Sequence, residues 1–147
     1  TATTQSYRNI AKGLIQGYEF RIAYEPSARW DHALSYGDQS GRESASGNWL
    51  ADLNPNTWRY SLTWRPSRAV VSLDLSHREG RSEFGAGEEP LSPLTLVNVA
   101  VSWSMGQHWE LGVACTNCSR QTFYGTADDR AALQPGRAIA MNFAWKP

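Results

Sequence analysis

The sequence is poor in cysteine and has no excess of charge of either sign. Two of its 147 residues are Cys, too few for a small domain that is stabilised mainly by disulfide bonds. Fourteen basic residues balance fourteen acidic ones. This neutrality argues against a nucleic-acid partner, because binding a phosphate backbone requires a basic surplus. The length suits one domain spanning residues 1–147.

A long apolar run is also missing. Residues 90–109 contain no charged side chain, but Pro90, Pro93 and Gly106 interrupt them, and their apolar residues alternate with polar ones. The window is therefore not a membrane helix. The first five residues have neither a basic start nor an apolar stretch, so we expect any export signal to have been removed or to lie outside this chain.

Apolar and polar residues alternate in seven segments, with the two-residue period of β-strands. In the first segment, Leu14, Phe20 and Ile22 share one face, and Glu19 and Arg21 share the other. The predicted strands are 14–24, 29–36, 58–65, 71–76, 97–104, 109–116 and 138–145, with 4–10 as a weaker eighth candidate. Because no segment has an apolar stripe at helical spacing, the predicted fold class is all-β.

Short and long connections alternate along the chain. Residues 25–28, 65–68 and 104–108 are tight turns built from Pro, Ser and Gly, whereas 38–56, 77–93 and 117–136 are long, polar and rich in Gly. Short turns at one end and long loops at the other predict an antiparallel up-and-down meander. Loops of this length usually carry function.

Aromatic residues collect beside the short turns, on the apolar face of their strands. They are Tyr24, Trp30, Trp64, Trp103, Trp109 and Trp145, and the opposite edge has Tyr36 and Trp58. Aromatic girdles that flank an outward apolar band are typical of transmembrane β-barrels, because these rings settle at the membrane interface. We therefore predict an antiparallel transmembrane β-barrel in contact with outer-membrane lipid, with the charged second face lining a wet interior.

Several stretches resemble one known family. Residues 109–118 (WELGVACTNC) are similar to a penultimate strand running into a loop, and 133–145 (LQPGRAIAMNFAW) to the closing strand with its Pro-Gly-Arg start. Residues 7–13 (YRNIAKG) and 17–26 (GYEFRIAYEP) resemble an earlier strand pair. Together they resemble the C-terminal part of the barrel of TonB-dependent outer-membrane receptors.

The resemblance implies that these seven to eight strands form part of a barrel of roughly 22 strands in the outer membrane of a Gram-negative bacterium. It implies import of a scarce small ligand, such as an iron chelate, haem or cobalamin. The implied partners are the remainder of the barrel, a plug, and TonB acting through the plug.

Cationic and aromatic side chains in or beside the long loops are suited to an anionic or aromatic ligand, because they offer bidentate hydrogen bonds and stacking. We predict as ligand-contacting residues Arg42, Trp49, Arg78, Arg81, Arg120 and Tyr124. Solvated loop charges are the alternative interpretation for each of the arginines.

No residues are predicted to carry catalysis or to hold a metal or cofactor. His32, His77 and His108 have no metal-ligand spacing, and there is no nucleophile–base motif, so we expect a protein that is not an enzyme. For Cys115 and Cys118 we favour free thiols over a disulfide bond, because residues three apart in a strand point to opposite faces.

Two other functions remain open. One is a complete eight-stranded outer-membrane barrel with a structural or adhesion role, and the other is a soluble β-sandwich that binds carbohydrate. Closing strand 138–145 against 4–10 would place Arg8 on the lipid face with Ile10, which is costly. Open strand edges are not tolerated in a bilayer either, so we expect a partner segment to complete the barrel.

Overall fold

The chain forms one seven-stranded antiparallel sheet in the computed structural model, which describes residues 12–146. The strands are β1 (Gly13–Ser27), β2 (Trp30–Glu43), β3 (Thr57–Trp64), β4 (Ala69–Arg78), β5 (Leu94–Met105), β6 (Trp109–Thr116) and β7 (Ala138–Trp145). They pair in sequence order. The predicted all-β meander is thus confirmed, whereas candidate strand 4–10 lies outside the described residues.

The first hairpin is longer than the sequence predicted. β2 continues to Glu43, because residues 38–43, predicted as loop, pair with the start of β1 from Tyr18 to Gly13. At its other end β1 runs to Ser27, past an irregularity in the strand pairing after Tyr24. The turn therefore comprises residues 28–29 and not the predicted 25–28. Backbone hydrogen bonds hold this extension, and such bonds form whether or not apolar and polar side chains alternate along the strand.

The apolar faces of all seven strands are in register with one another. One cross-strand row places Leu62 opposite Leu73, Leu73 opposite Val99, and Val99 opposite Cys115, which in turn lies opposite Ile139. We call this side of the sheet the outer face. The division of each strand into two faces is confirmed.

The inner face is polar. A row across it runs through Ser61, Asp74 and Asn98. Nearer the short turns, Gly112 lies opposite Asn142, and a Cβ on Gly112 would come within 1.9 Å of the Asn142 Oδ1 atom. A larger residue at position 112 would therefore oblige the Asn142 amide group to move.

Large apolar side chains of the sheet are turned to the surface. Met141 is 72% exposed and Ile139 67%, and none of the large side chains in the described range is fully buried. A sandwich would cover such a face with a second sheet, but the described strands form a single sheet. The β-sandwich alternative is therefore wrong. In residues 12–146 there is no helix that is both long and apolar enough to cross a membrane.

The two cysteines form a disulfide bond, so the expectation of free thiols is wrong. The expectation assumed that both residues belong to one regular strand. β6 instead ends at Thr116, and Asn117 adopts a φ of +49°, which turns the chain out of β geometry. The Cα atoms of Cys115 and Cys118 are consequently 5.7 Å apart, within the usual range for a disulfide.

Candidate functional site

Three long loops gather at one edge of the sheet, and we call them the loop layer (44–56, 79–93 and 117–137). Glu88 joins the first two loops. One of its carboxylate oxygens accepts a hydrogen bond from the Asp52 backbone N–H at 2.8 Å, and the other accepts one from Gly85 at 2.7 Å. Gly85 itself packs so closely on Ala51 that a Cβ would come within 2.4 Å of the Ala51 nitrogen.

Backbone hydrogen bonds join the second loop to the third. The Glu89 N–H donates to the Ala127 carbonyl at 2.7 Å, and the Asp129 N–H donates to the Gly87 carbonyl at 3.0 Å. Ala127 is buried at this junction. The loop layer is thus one connected body, which sequence patterns did not reveal because most of these contacts are made by backbone.

Arg78 and Arg81, both predicted to contact ligand, each donate to two loop carbonyls. Arg81 donates to the carbonyls of Leu53 and Glu83. Arg78 donates from Nη1 to Tyr124 at 3.0 Å and from Nη2 to Ser92 at 3.3 Å, and its Nε is buried without a partner in the described structure. The Arg78 guanidinium therefore holds the second and third loops on β4, and the Arg81 guanidinium joins the first loop to the second.

Arg42 and Trp49 contact each other. The Arg42 guanidinium carbon lies 3.7 Å from the centre of the Trp49 ring, and Nη1 donates to the Gly47 carbonyl at 3.2 Å. Arg42 is opposite Leu14 in the sheet, so this cation–π pair belongs to the outer face.

The other two predicted residues lie in the third loop. Arg120 is exposed in a turn with a φ of +56°, and its N–H donates to the Asn117 carbonyl at 2.9 Å. The Tyr124 ring is half exposed, and its backbone carbonyl accepts from Arg78. The six residues therefore do not form one cluster.

Asn117 organises the start of the third loop, and the sequence analysis missed it. Its side chain donates to the Gln121 carbonyl at 2.7 Å and accepts from the Gln121 N–H at 2.8 Å, while its backbone N–H donates to the Asn98 side chain at 2.8 Å. The sequence feature that could have indicated this loop start is Thr-Asn-Cys, at the end of residues 109–118.

A cavity of about 690 Å³, which we call the inner recess, opens on the inner face below the loop layer. Its wall includes Glu19 of β1, Arg59 of β3 and Leu96 of β5, and loop residues 54–55 and Phe123 cover it. This volume lies within the range of roughly 300–1,000 Å³ typical of small-molecule sites. Arg78 is the one predicted ligand residue that lines it.

A smaller polar cavity of about 150 Å³, the outer cleft, lies between β2 and the first two loops. Two predicted ligand residues, Trp49 and Arg81, line it, together with Asp38, Asn56 and Glu83. Arg78 thus lies at one cavity and Trp49 and Arg81 at the other, and the two linings share Asp38, Gln39, Asn54 and Pro55.

Aromatic rings group at both edges of the apolar band. Near the short turns the Trp30 and Trp64 rings stack at 5.3 Å, and Trp109 lies 6.5 Å from Trp145. Tyr24 contacts His32 at 6.1 Å, and Trp103 is half exposed opposite Leu111. The far edge carries an upper aromatic cluster formed by Tyr18, Phe20, Tyr36 and Trp58, in which the last two rings are 4.4 Å apart.

The histidines of the described chain are engaged with hydroxyl or carbonyl oxygens. Nδ1 lies 2.9 Å from the Tyr60 hydroxyl in His32 and 2.8 Å from the Thr95 hydroxyl in His77. His108 Nδ1 lies 3.0 Å from the Lys146 carbonyl oxygen. Residues 12–146 contain no group of three or more His, Cys, Asp or Glu side chains arranged to hold a metal ion.

Comparison with known proteins gives one family and several similar folds. The family model described as TonB dependent receptor-like, beta-barrel, matches residues 1–118. The chain is similar to the copper transporter OprC, with a TM-score of 0.76 and 13% identity over 90% of this chain and 24% of that one. It is also similar to the ferripyoverdine receptor of the outer membrane of Pseudomonas aeruginosa, with a TM-score of 0.75 and 15% identity over 90% of this chain and 19% of that one.

No curated protein matches the sequence significantly. At identities of 13% and 15% the structural likeness shows the fold. The chain spans less than a quarter of the length of either solved structure.

Proposed function

Because this chain belongs to the TonB-dependent receptor β-barrel family, we propose that it forms wall strands and three extracellular loops of a receptor that imports a metal chelate across the outer membrane. Members of the family are outer-membrane proteins of Gram-negative bacteria, and they are transport receptors, not enzymes. The family implies a plug domain, TonB and a small-molecule ligand as partners. We propose the same partners and a non-enzymatic role for this chain.

The inner recess is the observation that carries this proposal. It lies where the polar interior of the sheet meets the loop layer, and it combines the charges of Glu19 and Arg59 with the apolar surfaces of Leu96 and Phe123. A metal chelate presents both charged or polar ligating groups and an organic framework, so it needs a mixed surface of this kind. Arg59 lies opposite Ser35 and Ser76, so neither residue paired with it in the described sheet is a carboxylate.

The sheet edges support the proposal that further strands complete the barrel. β1 and β7 each have one neighbour among the described strands. A bilayer does not tolerate unpaired N–H and C=O groups in its hydrocarbon region. We propose that strands outside the described residues pair with both edges, and that all of residues 1–147 belong to this one barrel domain.

The aromatic groups support a specific placement in the membrane. We propose that Tyr24, Trp30, Trp64, Trp103, Trp109 and Trp145 form the girdle at the periplasmic interface, beside the short turns. The upper aromatic cluster then lies at the interface of the outer leaflet, and the loop layer is extracellular.

Metal uptake by cells tests the function. Gram-negative cells without their own receptors for the probes receive the full receptor carrying this segment and are supplied separately with ferripyoverdine, a ferric trihydroxamate, a ferric tris-catecholate or copper(II). We expect one probe to accumulate in a TonB-dependent manner, and Arg59→Ala to reduce that uptake. Arg68→Ala, in a short turn far from the recess, is the matched control. Equal uptake with and without the receptor for all four probes would contradict the proposal.

A further inference from the structure

Asn117 fastens the two ends of the third loop to each other. Its side-chain nitrogen donates to the Gln121 carbonyl at 2.7 Å on the outgoing segment and to the Pro135 carbonyl at 3.4 Å on the returning segment. Its side-chain oxygen accepts the Gln121 N–H at 2.8 Å. Asn117 is 6% exposed, so water has little access to these bonds. One amide group thus closes the base of the loop.

The two segments continue side by side from this base to the inner recess. We call residues 119–125 and 133–135 the loop neck. The Gln134 N–H donates to the Phe123 carbonyl at 2.9 Å, which joins the two segments a second time. Phe123 lines the inner recess. The Asn117 amide group is therefore connected to the cover of the recess through a short series of hydrogen-bonded residues.

The base of the loop is fixed to β5. The Asn117 backbone N–H donates to the Asn98 side chain at 2.8 Å, and the Cys118 N–H donates to the Val97 carbonyl at 2.7 Å. Both acceptors belong to a strand that is paired on its two sides. The neck therefore begins from a rigid part of the wall.

The disulfide bond restrains the backbone at Asn117. Cys115 and Cys118 close a ring that also contains Thr116 and Asn117. Asn117 has a φ of +49°, in the left-handed region that residues with a side chain adopt less readily than glycine does. A disulfide that closes so small a ring leaves its residues few other conformations, so it favours the turn in which the Asn117 amide faces Gln121.

The position of the neck determines what the recess presents to a ligand. Arg78 lines the recess and donates from Nη1 to the Tyr124 carbonyl of the neck at 3.0 Å. Phe123, the preceding neck residue, lines the recess as well. A displaced neck would therefore move an apolar ring and the partner of a cation together. Affinity falls when such groups have to be ordered during binding.

We propose that Asn117, restrained by the Cys115–Cys118 disulfide, is a positioning residue that sets the affinity of the inner recess for its chelate by holding Phe123 and Arg78 in place. Asn117 itself lies outside the recess lining, so it acts through the neck and not by contact with the ligand. The inference rests on the proposed function, because it requires that the recess binds the chelate.

Two substitutions at position 117 separate the amide group from the backbone turn. Asn117→Gly permits the positive φ and the backbone bonds but removes the whole side chain. Asn117→Asp keeps an acceptor for the Gln121 N–H and removes the donor to the Gln121 and Pro135 carbonyls. The double variant Cys115→Ser, Cys118→Ser removes the restraint on the turn. Thr122→Ala is the matched control, because it shortens an exposed side chain of the same loop outside the recess lining.

Uptake kinetics of the full receptor distinguish positioning from folding. Cells carrying each variant receive graded concentrations of ferripyoverdine, the ferric trihydroxamate, the ferric tris-catecholate or copper(II). For the probe that the parent imports, both position-117 variants and the double serine variant should raise the half-saturating concentration about tenfold. The maximal rate per folded receptor, counted by heat-modifiable migration, should stay unchanged. A variant that only folds less well would lower the maximal rate per cell and leave the half-saturating concentration as it is.

Hydrogen exchange in the absence of any probe provides a second readout. The Gln134 N–H, which is bonded to Phe123, should exchange faster in Asn117→Gly and in Asn117→Asp than in the parent receptor. Exchange in β3 should not change in either variant. Thr122→Ala should match the parent in both regions.

The inference is overturned if the position-117 variants and the double serine variant keep the half-saturating concentration of the parent. A change in the maximal rate per cell alone also overturns it, because Asn117 would then act on folding only. The same holds if Thr122→Ala raises the half-saturating concentration as much as Asn117→Gly does. In each of these cases the parent still imports a probe, so the proposed function stands. A parent that imports none of the four probes contradicts the proposed function, and this inference fails with it.

Discussion

Glu88 accepts a hydrogen bond from the backbone N–H of Asp52, which lies 36 residues earlier in the chain and in a different loop. The same carboxylate accepts the N–H of Gly85. One side chain thereby connects the first and second loops of the loop layer, and it does so at the point where Gly85 packs against Ala51. The loop layer is consequently expected to move as a unit.

Replacing Glu88 with alanine should loosen these two loops. The substitution removes the partner of two backbone donors, and each unsatisfied donor costs about 1–3 kcal/mol where water does not replace the bond. We expect faster hydrogen exchange at Asp52 and Gly85 in the full receptor, with unchanged exchange in β3 and β4. Glu89→Ala is the matched control, because Glu89 contributes a backbone N–H to the loop contacts. Equal exchange in both variants would contradict the role of the carboxylate.

Arginine should be tolerated on one face of β5 and not on the other. Val99 lies between Leu73 and Cys115 on the outer face, so Val99→Arg should destabilise the barrel by about 2–4 kcal/mol near the middle of the membrane. Ser102→Arg, on the inner face, should cost much less. Denaturant unfolding in lipid vesicles measures both. Equal costs would mean that the two faces are assigned the wrong way round.

The periplasmic girdle should be accessible to lipid. Trp64, Trp103 and Trp145 are 37%, 51% and 59% exposed on the outer face. Lipids brominated on the upper acyl chain should therefore quench their fluorescence in reconstituted receptor. Changing these three residues to Phe should reduce the quenching, whereas Trp49→Phe, beyond the apolar band, should leave it unchanged. Absence of quenching in the parent would contradict the membrane placement.

Cys115 and Cys118 should resist thiol labelling until a reductant is added. The disulfide closes a very short loop, so its loss in Cys118→Ser should lower the free energy of unfolding by about 2 kcal/mol in the chain-entropy model. Maleimide labelling of unfolded receptor, with and without reduction, measures the bond directly. Labelling without reduction would show free thiols.

Strand periodicity predicted most of the fold, because a transmembrane sheet must keep its apolar side chains on one face. The same rule failed at residues 38–43, which extend β2 beyond the apolar band, where side chains need not alternate. It also failed at Cys118, since the break in β geometry depends on the φ of Asn117.

The site was less predictable than the fold. Residue types alone predict the loop arginines as ligand contacts, but Arg78 and Arg81 donate to carbonyls whose positions depend on the folded loops. Arg42 and Trp49 contact each other, and the register places that pair on the outer face. Whether a residue lies at the inner recess or at the outer cleft depends on how the strands pair. The residue types alone do not give that pairing.

We propose that this sheet is one part of a larger barrel, and the mass of the protein assembly purified from outer membranes decides whether it is. We expect residues 1–147 to be recovered in a species several times heavier than the 16.4 kDa of this chain, with additional strands paired to β1 and β7. A stable, heat-modifiable monomer of 16.4 kDa with complete β-structure in detergent would contradict the claim and favour the eight-stranded barrel.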